Sequence, residues 1–285
     1  MKAIISTTYD DKYLYFLPIV TWAWNKLGVD VVCFIPHLTA NVEHNERIDL
    51  LMKTERELGL KLKMYQFEAP EHKQATYAQC SRLYGACLDL PEDEVIITSD
   101  IDMLMFRLPE MMKSGFSIFG SDLVPEKQYP MCYISAKVKD WRNAFNLTYG
   151  ALSLNPVNSL ATEKVKTYQQ CLDELMEGRD SISMRSDFWA LDQEIAFNKI
   201  NLTQEVHYIS RTNGQNQFAT HRLDRDDSFL LDRMNSEVYD YHANRPPYEE
   251  NNFEKILTVL EFFYPEESFE WLVEYQNSYV NLLNG

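Results

Sequence analysis

The chain is short of positive charge. Its 285 residues hold 27 Lys and Arg against 43 Asp and Glu, a net charge of −16, with a sequence pI of about 4.8. Nonspecific grip on nucleic acid needs a basic face, so nucleic acid is excluded as a partner. Any phosphate must be held locally, by a metal, by backbone N–H groups or by a few placed cations. Cysteine is also scarce, with five residues, an odd number, and no Cys-x-x-Cys pair. That pattern reads as core thiols of a chain folded in a reducing compartment, not as a disulfide framework. Long apolar runs are missing too. No stretch approaches the length of a membrane span. The first apolar run, Ala3-Ile4-Ile5, is too short for a signal peptide, and acids follow soon after at Asp10 and Asp11. The expected location is therefore cytoplasmic, and the sequons at Asn146 and Asn201 are discounted. There is no internal repeat, low-complexity tract or clear linker, which favours one domain over residues 1–285.

What is present is enough apolar material for a large core, 45% of residues with 13% aromatic. The most informative segment is Val95-Ile96-Ile97-Thr98-Ser99-Asp100-Ile101-Asp102. Five β-favouring residues predict a short buried strand. Residues two apart on an extended backbone share a side, so both carboxylates leave the strand's end together. Two such acids repel unless positive charge sits between them. A divalent metal with oxygen ligands supplies it, and would in turn neutralise a diphosphate. The carboxyl end of a strand in an α/β sheet is where such ligands bind. Chance copies of Asp-x-Asp are common, and most are solvated turn acids. Here the preceding strand and the apolar Met103-Leu104-Met105-Phe106 that follows place the pair at an internal edge.

Upstream, the pattern alternates. Lys2–Thr7 predicts a strand, residues 13–27 a helix ended by Gly28, and residues 29–35 a second strand stopped by Pro36. A helix over 45–58, a strand over 61–67 and a helix over 74–88 follow. Strands alternating with helices argue for a mostly parallel sheet. After Pro109 the pattern loosens. Strands are predicted at 116–120, 131–136 and 205–210, and helices at 138–147, 161–176 and 186–199. Residues 121–130 and 212–227 read as loops, the acidic run at 224–227 as a solvated one. Two amphipathic helices broken at Pro265 close the chain. The division expected within the single domain is a nucleotide-sugar half over 1–105, a site-completing acceptor half over 106–248 and a helical tail over 249–285.

Three segments in this order resemble the GT-A class of nucleotide-sugar glycosyltransferases. The first is Ile4-Ile5-Ser6-Thr7-Thr8-Tyr9. The second is Ser81-Arg82-Leu83-Tyr84 ahead of the Asp100-Ile101-Asp102 strand. The third is the late pair Leu191-Asp192-Gln193 and Asp240-Tyr241-His242-Ala243-Asn244-Arg245-Pro246. That pair is similar to segments of glycogenin-like retaining enzymes, though Arg245-Pro246-Pro247-Tyr248 stands where those have a Gly and a Lys-Pro-Trp. The resemblance covers roughly residues 1–248. It implies an α/β, GT-A-like fold, with a Rossmann-like, mostly parallel central sheet flanked by helices and a C-terminal helical tail. The implied activity is metal-dependent transfer of a sugar from a nucleoside-diphosphate sugar, a UDP-sugar above others, to a hydroxyl of a glycan or glycoconjugate acceptor, with retention.

On this resemblance Asp100, Asp102 and His242 are the metal ligands, with Asp100 alternatively holding a ribose hydroxyl. An imidazole suits Mn²⁺ better than Mg²⁺, which prefers oxygen. Arg82 and Arg245 add cations for the phosphates, Thr7, Thr8 and Tyr9 face the nucleoside, and Asp192 and Gln193 face the sugar. Each residue has a plainer reading: Arg82 or Asp192 in an ordinary ion pair, His242 packed, Tyr9 in a turn. Rival functions are a haloacid-dehalogenase-type phosphatase using Asp100 and Asp102 as nucleophile and acid/base, and a catalytically degenerate sugar-nucleotide-binding module. The phosphatase motif continues with Thr or Val where this chain has Leu104. A nucleotidyltransferase would need a Gly-rich basic N-terminal loop, which is missing.

Overall fold

The computed structural model describes residues 1–37, 46–108, 115–120, 127–147, 168–176, 190–202, 205–210, 222–225 and 230–285. In chain order, β1 (Lys2–Ser6) is followed by α1 (Asp11–Leu14), α2 (Leu17–Lys26), β2 (Asp30–His37), α3 (Glu46–Leu58) and β3 (Leu62–Glu68). Next come α4 (Gln74–Ser81), a 3₁₀ segment (Arg82–Cys87), β4 (Val95–Thr98) and β5 (Met103–Met105). The second half holds β6 (Phe116–Phe119), β7 (Ile134–Lys137), α5 (Val138–Phe145), α6 (Tyr168–Met176), α7 (Leu191–Asn201), β8 (Val206–Ile209), β9 (Arg222–Asp224), α8 (Leu230–Arg233) and β10 (Asp240–His242). Helices α9 (Glu250–Phe263) and α10 (Glu270–Asn284) form the tail.

Seven strands make the central sheet in the order β3-β2-β1-β4-β7-β6-β8. Only β7 runs against the rest, pairing antiparallel with β4 and β6. The fold is thus the mostly parallel α/β sheet flanked by helices that was expected. Strands β1 and β2 read as unbroken apolar runs because both faces are covered. Ala3, Ile5, Val31, Cys33 and Ile35 pack on one side, and Ile4, Val32 and Phe34 on the other. A three-stranded sheet, β5-β10-β9, sits apart from the large one, and it carries the late segment to the aspartates.

Three details differ from the sequence expectation. The predicted helix over 13–27 is two helices, because Pro18 lies in the first turn of α2; proline lacks an N–H and fits a helix start better than its middle. The predicted helix over 74–88 tightens to 3₁₀ at Arg82. There Gly85 passes so close to β1 that a Cβ would lie 2.9 Å from Cγ1 of Ile4. Within the stretch read as loop, residues 222–224 form β9. Of the predicted helices over 161–176 and 186–199, residues 161–167 and 186–189 lie outside the described ones.

The tail is bolted to the N-terminal half and to the segment that leads into it. The Tyr275 hydroxyl donates to Tyr15 O at 3.1 Å, the Tyr279 hydroxyl to Asp11 Oδ1 at 2.8 Å, and Gln276 Nε2 to Tyr248 O at 2.8 Å. Trp22 packs edge-on against Tyr264 and Phe269, so α2 is buried between sheet and tail. No helix among the described residues is long and apolar enough to cross a membrane.

Gly115, just before β6, has φ +71°, and a Cβ there would meet Glu205 O at 2.4 Å. Gly115→Ala is expected to destabilise the fold by at least about 1–3 kcal/mol, the range for a strained left-handed residue. The check is the urea midpoint of the variant.

Candidate active site

The carboxyl ends of β1 and β4 open onto a cavity of about 360 Å³. Ser6, Thr7 and Thr8 line it from β1, and Asp100, Ile101 and Asp102 from β4. Arg82 reaches it from the 3₁₀ segment, Asp192 and Gln193 from α7, and His242 and Arg245 from the segment at β10. Residues 7, 8, 82, 100, 102, 192, 193, 242 and 245, scattered through the sequence, therefore converge. Tyr9 is not among the lining residues; its hydroxyl accepts a bond from Gln66 Nε2. Tyr13, Arg222 and Arg225 do line the cavity.

Backbone pairing explains the convergence. Immediately after Asp102 the chain enters β5, which pairs antiparallel with β10, His242 opposite Met103. The Ala243 N–H then donates to Asp102 O at 2.9 Å. The turn after β4 and the end of β10 are thus tied together, and the His242 ring has to stand beside the Asp102 carboxylate.

Around Asp102 Oδ2 three cationic or protonatable groups gather: Arg245 Nε at 3.2 Å, His242 Nε2 at 3.4 Å and Arg225 Nη1 at 3.5 Å. Burial pushes the Asp102 pKa up, but His242, Arg245 and Arg225 together outweigh it and hold the carboxyl below its ordinary value. Burial likewise disfavours a charged His242, yet its bonds to Asp102 and Asp224 raise it to about 9. Arg245 also donates to the Tyr13 hydroxyl and lies over the Tyr13 ring, 5.0 Å from its centroid.

A second group is built on Arg82, 5% exposed. Its Nη2 donates to Asp192 Oδ2 at 2.7 Å, and its Nη1 to Ser99 O at 3.1 Å and to Asp100 Oδ1. Burial raises the Asp192 pKa; the Arg82 charge opposes this and the Asp100 charge adds to it. Asp192 sits in the first turn of α7, where the helix dipole favours an acid. Arg82 and Asp192 are thus both an ion pair and part of the cavity wall.

The cavity holds four arginines (Arg82, Arg222, Arg225, Arg245) and a histidine against three aspartates, in a chain whose net charge is −16. This is local concentration of positive charge, suited to an anionic ligand. Sequence reasoning missed Arg222, Arg225 and Asp224, having read their stretch as solvated loop. The only local signal is Arg222-Leu223-Asp224, polar, apolar, polar, which is shorter than the four to eight residues over which alternation marks a strand. Leu223 is fully buried, and Arg222 Nε pairs with buried Asp240 at 3.2 Å.

The donors for a cation are an imidazole nitrogen and carboxylate oxygens. His242 Nε2 and Asp102 Oδ2, 3.4 Å apart, are close to the spacing of about 2.9–3.3 Å for neighbouring ligands of a six-coordinate cation bound at about 2.0–2.3 Å. This pair fits the group. Asp100 is turned away onto Arg82, and among the described residues no three His, Cys, Asp or Glu side chains are gathered for a metal as they stand.

No protein-family model matches the chain, and no curated protein matches it by sequence. Solved structures do resemble it. Galactosyltransferase LgtC, in complex with donor and acceptor sugar analogues, is 12% identical with a TM-score of 0.47, over 92% of this chain and 95% of that one. The glycosyltransferase GlyE of Streptococcus pneumoniae is 11% identical with a TM-score of 0.44, over 98% of this chain and 63% of that one. A nucleoside-diphosphate-sugar pyrophosphorylase from Vibrio cholerae is 12% identical with a TM-score of 0.37, over 75% of this chain and 93% of that one. Identity this low carries no side-chain role across, so the roles are argued from this chain's own atoms.

Proposed function

We propose that this protein is a glycosyltransferase that binds a nucleoside-diphosphate sugar, a UDP-sugar above others, in the cavity at the ends of β1 and β4, and passes the sugar to a hydroxyl of a glycan or glycoconjugate acceptor. The observation that carries this is the joining, in one cavity, of a strand-end Asp-x-Asp, a histidine from β10 and a cluster of arginines. Thr7 and Thr8, at the carboxyl end of β1, lie where a nucleoside of an α/β sheet is held. Arg245 and Arg225 face the position of a diphosphate. Asp192 and Gln193, at the start of α7, face the sugar, and on their resemblance to retaining enzymes the transfer proceeds with retention.

Asp102 and His242, with Asp100 once released from Arg82, would hold Mn²⁺, or less well Mg²⁺. The bound cation would neutralise charge on the leaving diphosphate as the sugar bond breaks. The chain's own contribution is to fix Asp102 among Arg245, Arg225 and His242, to keep Arg245 on Tyr13, and to hold Asp192 fixed on Arg82. Each is a preorganised group that need not be reordered when the ligand arrives. The phosphatase alternative needs Asp100 as a free nucleophile. It also needs Asp102 as acid/base, and against that stand His242, Arg245 and Arg225, which hold the Asp102 carboxyl below its ordinary pKa.

The test is a donor panel. Nucleotide sugars with Mn²⁺ are expected to raise the unfolding temperature and to be slowly hydrolysed. Chelator should stop hydrolysis, and Mg²⁺ should restore less of it than Mn²⁺. Binding without hydrolysis or transfer to any acceptor would favour the degenerate-module alternative. No stabilisation by any nucleotide sugar would overturn the assignment.

A further inference from the structure

His242 is gripped on both ring nitrogens. Nε2 faces Asp102 Oδ2 at 3.4 Å, and Nδ1 faces Asp224 Oδ1 at 3.4 Å. The second contact is set by the sheet: β9 and β10 pair in parallel with Asp224 beside His242, so the two side chains leave on one face. The neighbouring pair in the same ladder, Arg222 beside Asp240, is also an ion pair. Unlike His242, Asp224 does not line the cavity. Its side chain is 46% exposed, so packing does not require a carboxylate there.

An imidazole that binds a metal through one nitrogen commonly donates its other N–H to a carboxylate. That partner fixes which nitrogen carries the proton and how the ring is turned. We propose that Asp224 is the positioning residue of the metal site: it accepts from Nδ1–H of His242 and holds the ring so that Nε2, once its proton is released on binding of a divalent cation, presents its lone pair to the space beside Asp102. This rests on the metal-dependent reading above and extends it to a residue outside the cavity. The rival account of Asp224 is charge alone, because Arg222 and Arg225 act on the same carboxylate. Position and charge make different predictions.

The experiment measures the affinity of Mn²⁺ for the full chain in the presence of saturating UDP, by the electron paramagnetic resonance signal of free Mn²⁺. Asp224→Ala is expected to weaken Mn²⁺ about 10–100-fold, the range for loss of such an outer partner. Asp224→Asn, which keeps an oxygen acceptor for Nδ1–H, should lose less. On a His242→Ala background, Asp224→Ala should add nothing, because the effect passes through the ring. Circular dichroism confirms that each variant is folded before titration, and the exposed site makes the Asn variant a safe second if the Ala variant is not. Wild-type affinity in Asp224→Ala overturns the proposal and leaves the metal reading intact. So does an equal loss with or without His242, which would show a charge effect at a distance. A wild-type chain that binds no Mn²⁺ overturns both.

Discussion

Asp102→Asn is expected to abolish metal-dependent nucleotide binding and to lower transfer by at least about 10²–10³-fold, the scale for removing one preorganised electrostatic group from a transition state. Asparagine keeps an oxygen for the neighbouring cations and the size of the side chain, so the fold should survive. Asp102 is where the two halves of the site meet. It ends the Asp-x-Asp turn, its backbone carbonyl accepts from Ala243, and its carboxylate collects His242, Arg245 and Arg225. Titration of the variant with Mn²⁺ and UDP in a calorimeter reads the loss directly. Asp100→Asn should do equal or lesser harm, since that carboxylate is 40% exposed and turned onto Arg82. Wild-type affinity in both variants would remove the aspartates from ligand binding altogether.

Arg82→Ala is expected to destabilise the protein by about 3–5 kcal/mol, the range for breaking a buried ion pair from one side. Arg82 and Asp192 are 5% and 3% exposed, so alanine leaves a carboxylate in the interior with no cation. The direction with pH follows. Burial already raises the Asp192 pKa, and losing Arg82, which lowers it, raises it further. The folded variant then binds more protons than the unfolded chain above the ordinary carboxylate pKa, and stability falls as pH rises through that window. The deficit against wild type should therefore be larger at pH 7 than near pH 4. Urea unfolding at the two pH values is the check. The double variant Arg82→Met, Asp192→Leu should recover much of the loss, because an apolar pair of similar volume often replaces a buried ion pair without penalty. A loss under about 1 kcal/mol in Arg82→Ala would mean that the pair is solvated, as exposed ion pairs are.

The first hundred residues were legible because period carries them. Buried parallel strands are continuous apolar runs, and β1, β2 and β4 are read that way without ambiguity. The two aspartates were legible because a strand end in such a sheet is a definite place. His242 was legible only through its neighbours and the family resemblance, since nothing local says that β10 pairs with β5; that pairing joins positions some 140 residues apart. Arg225 and Asp224 were not found. Asp224 ends a strand of three residues, too short for period to stand out, Arg225 follows it directly, and the stretch has the composition of a solvated turn. What brings them to the site is the ladder of Arg222–Asp224 with β10, a nonlocal contact, which Arg225 follows. Tyr13 was hidden for a related reason. It reads as one more apolar helix residue, and only the arrival of Arg245 from the other end of the domain makes its ring and hydroxyl part of the site.

Asp102 and His242 are proposed to hold one divalent cation that in turn holds a nucleoside diphosphate. Crystals grown with Mn²⁺ and UDP, measured at a wavelength where manganese scatters anomalously, test it most directly. A single strong peak is expected in the cavity, about 2.0–2.3 Å from His242 Nε2 and from an Asp102 oxygen, with the diphosphate on its far side and Arg245 still on Tyr13. A diphosphate held by Arg225 and Arg245 with no anomalous peak, or a peak bound by neither Asp102 nor His242, would contradict it.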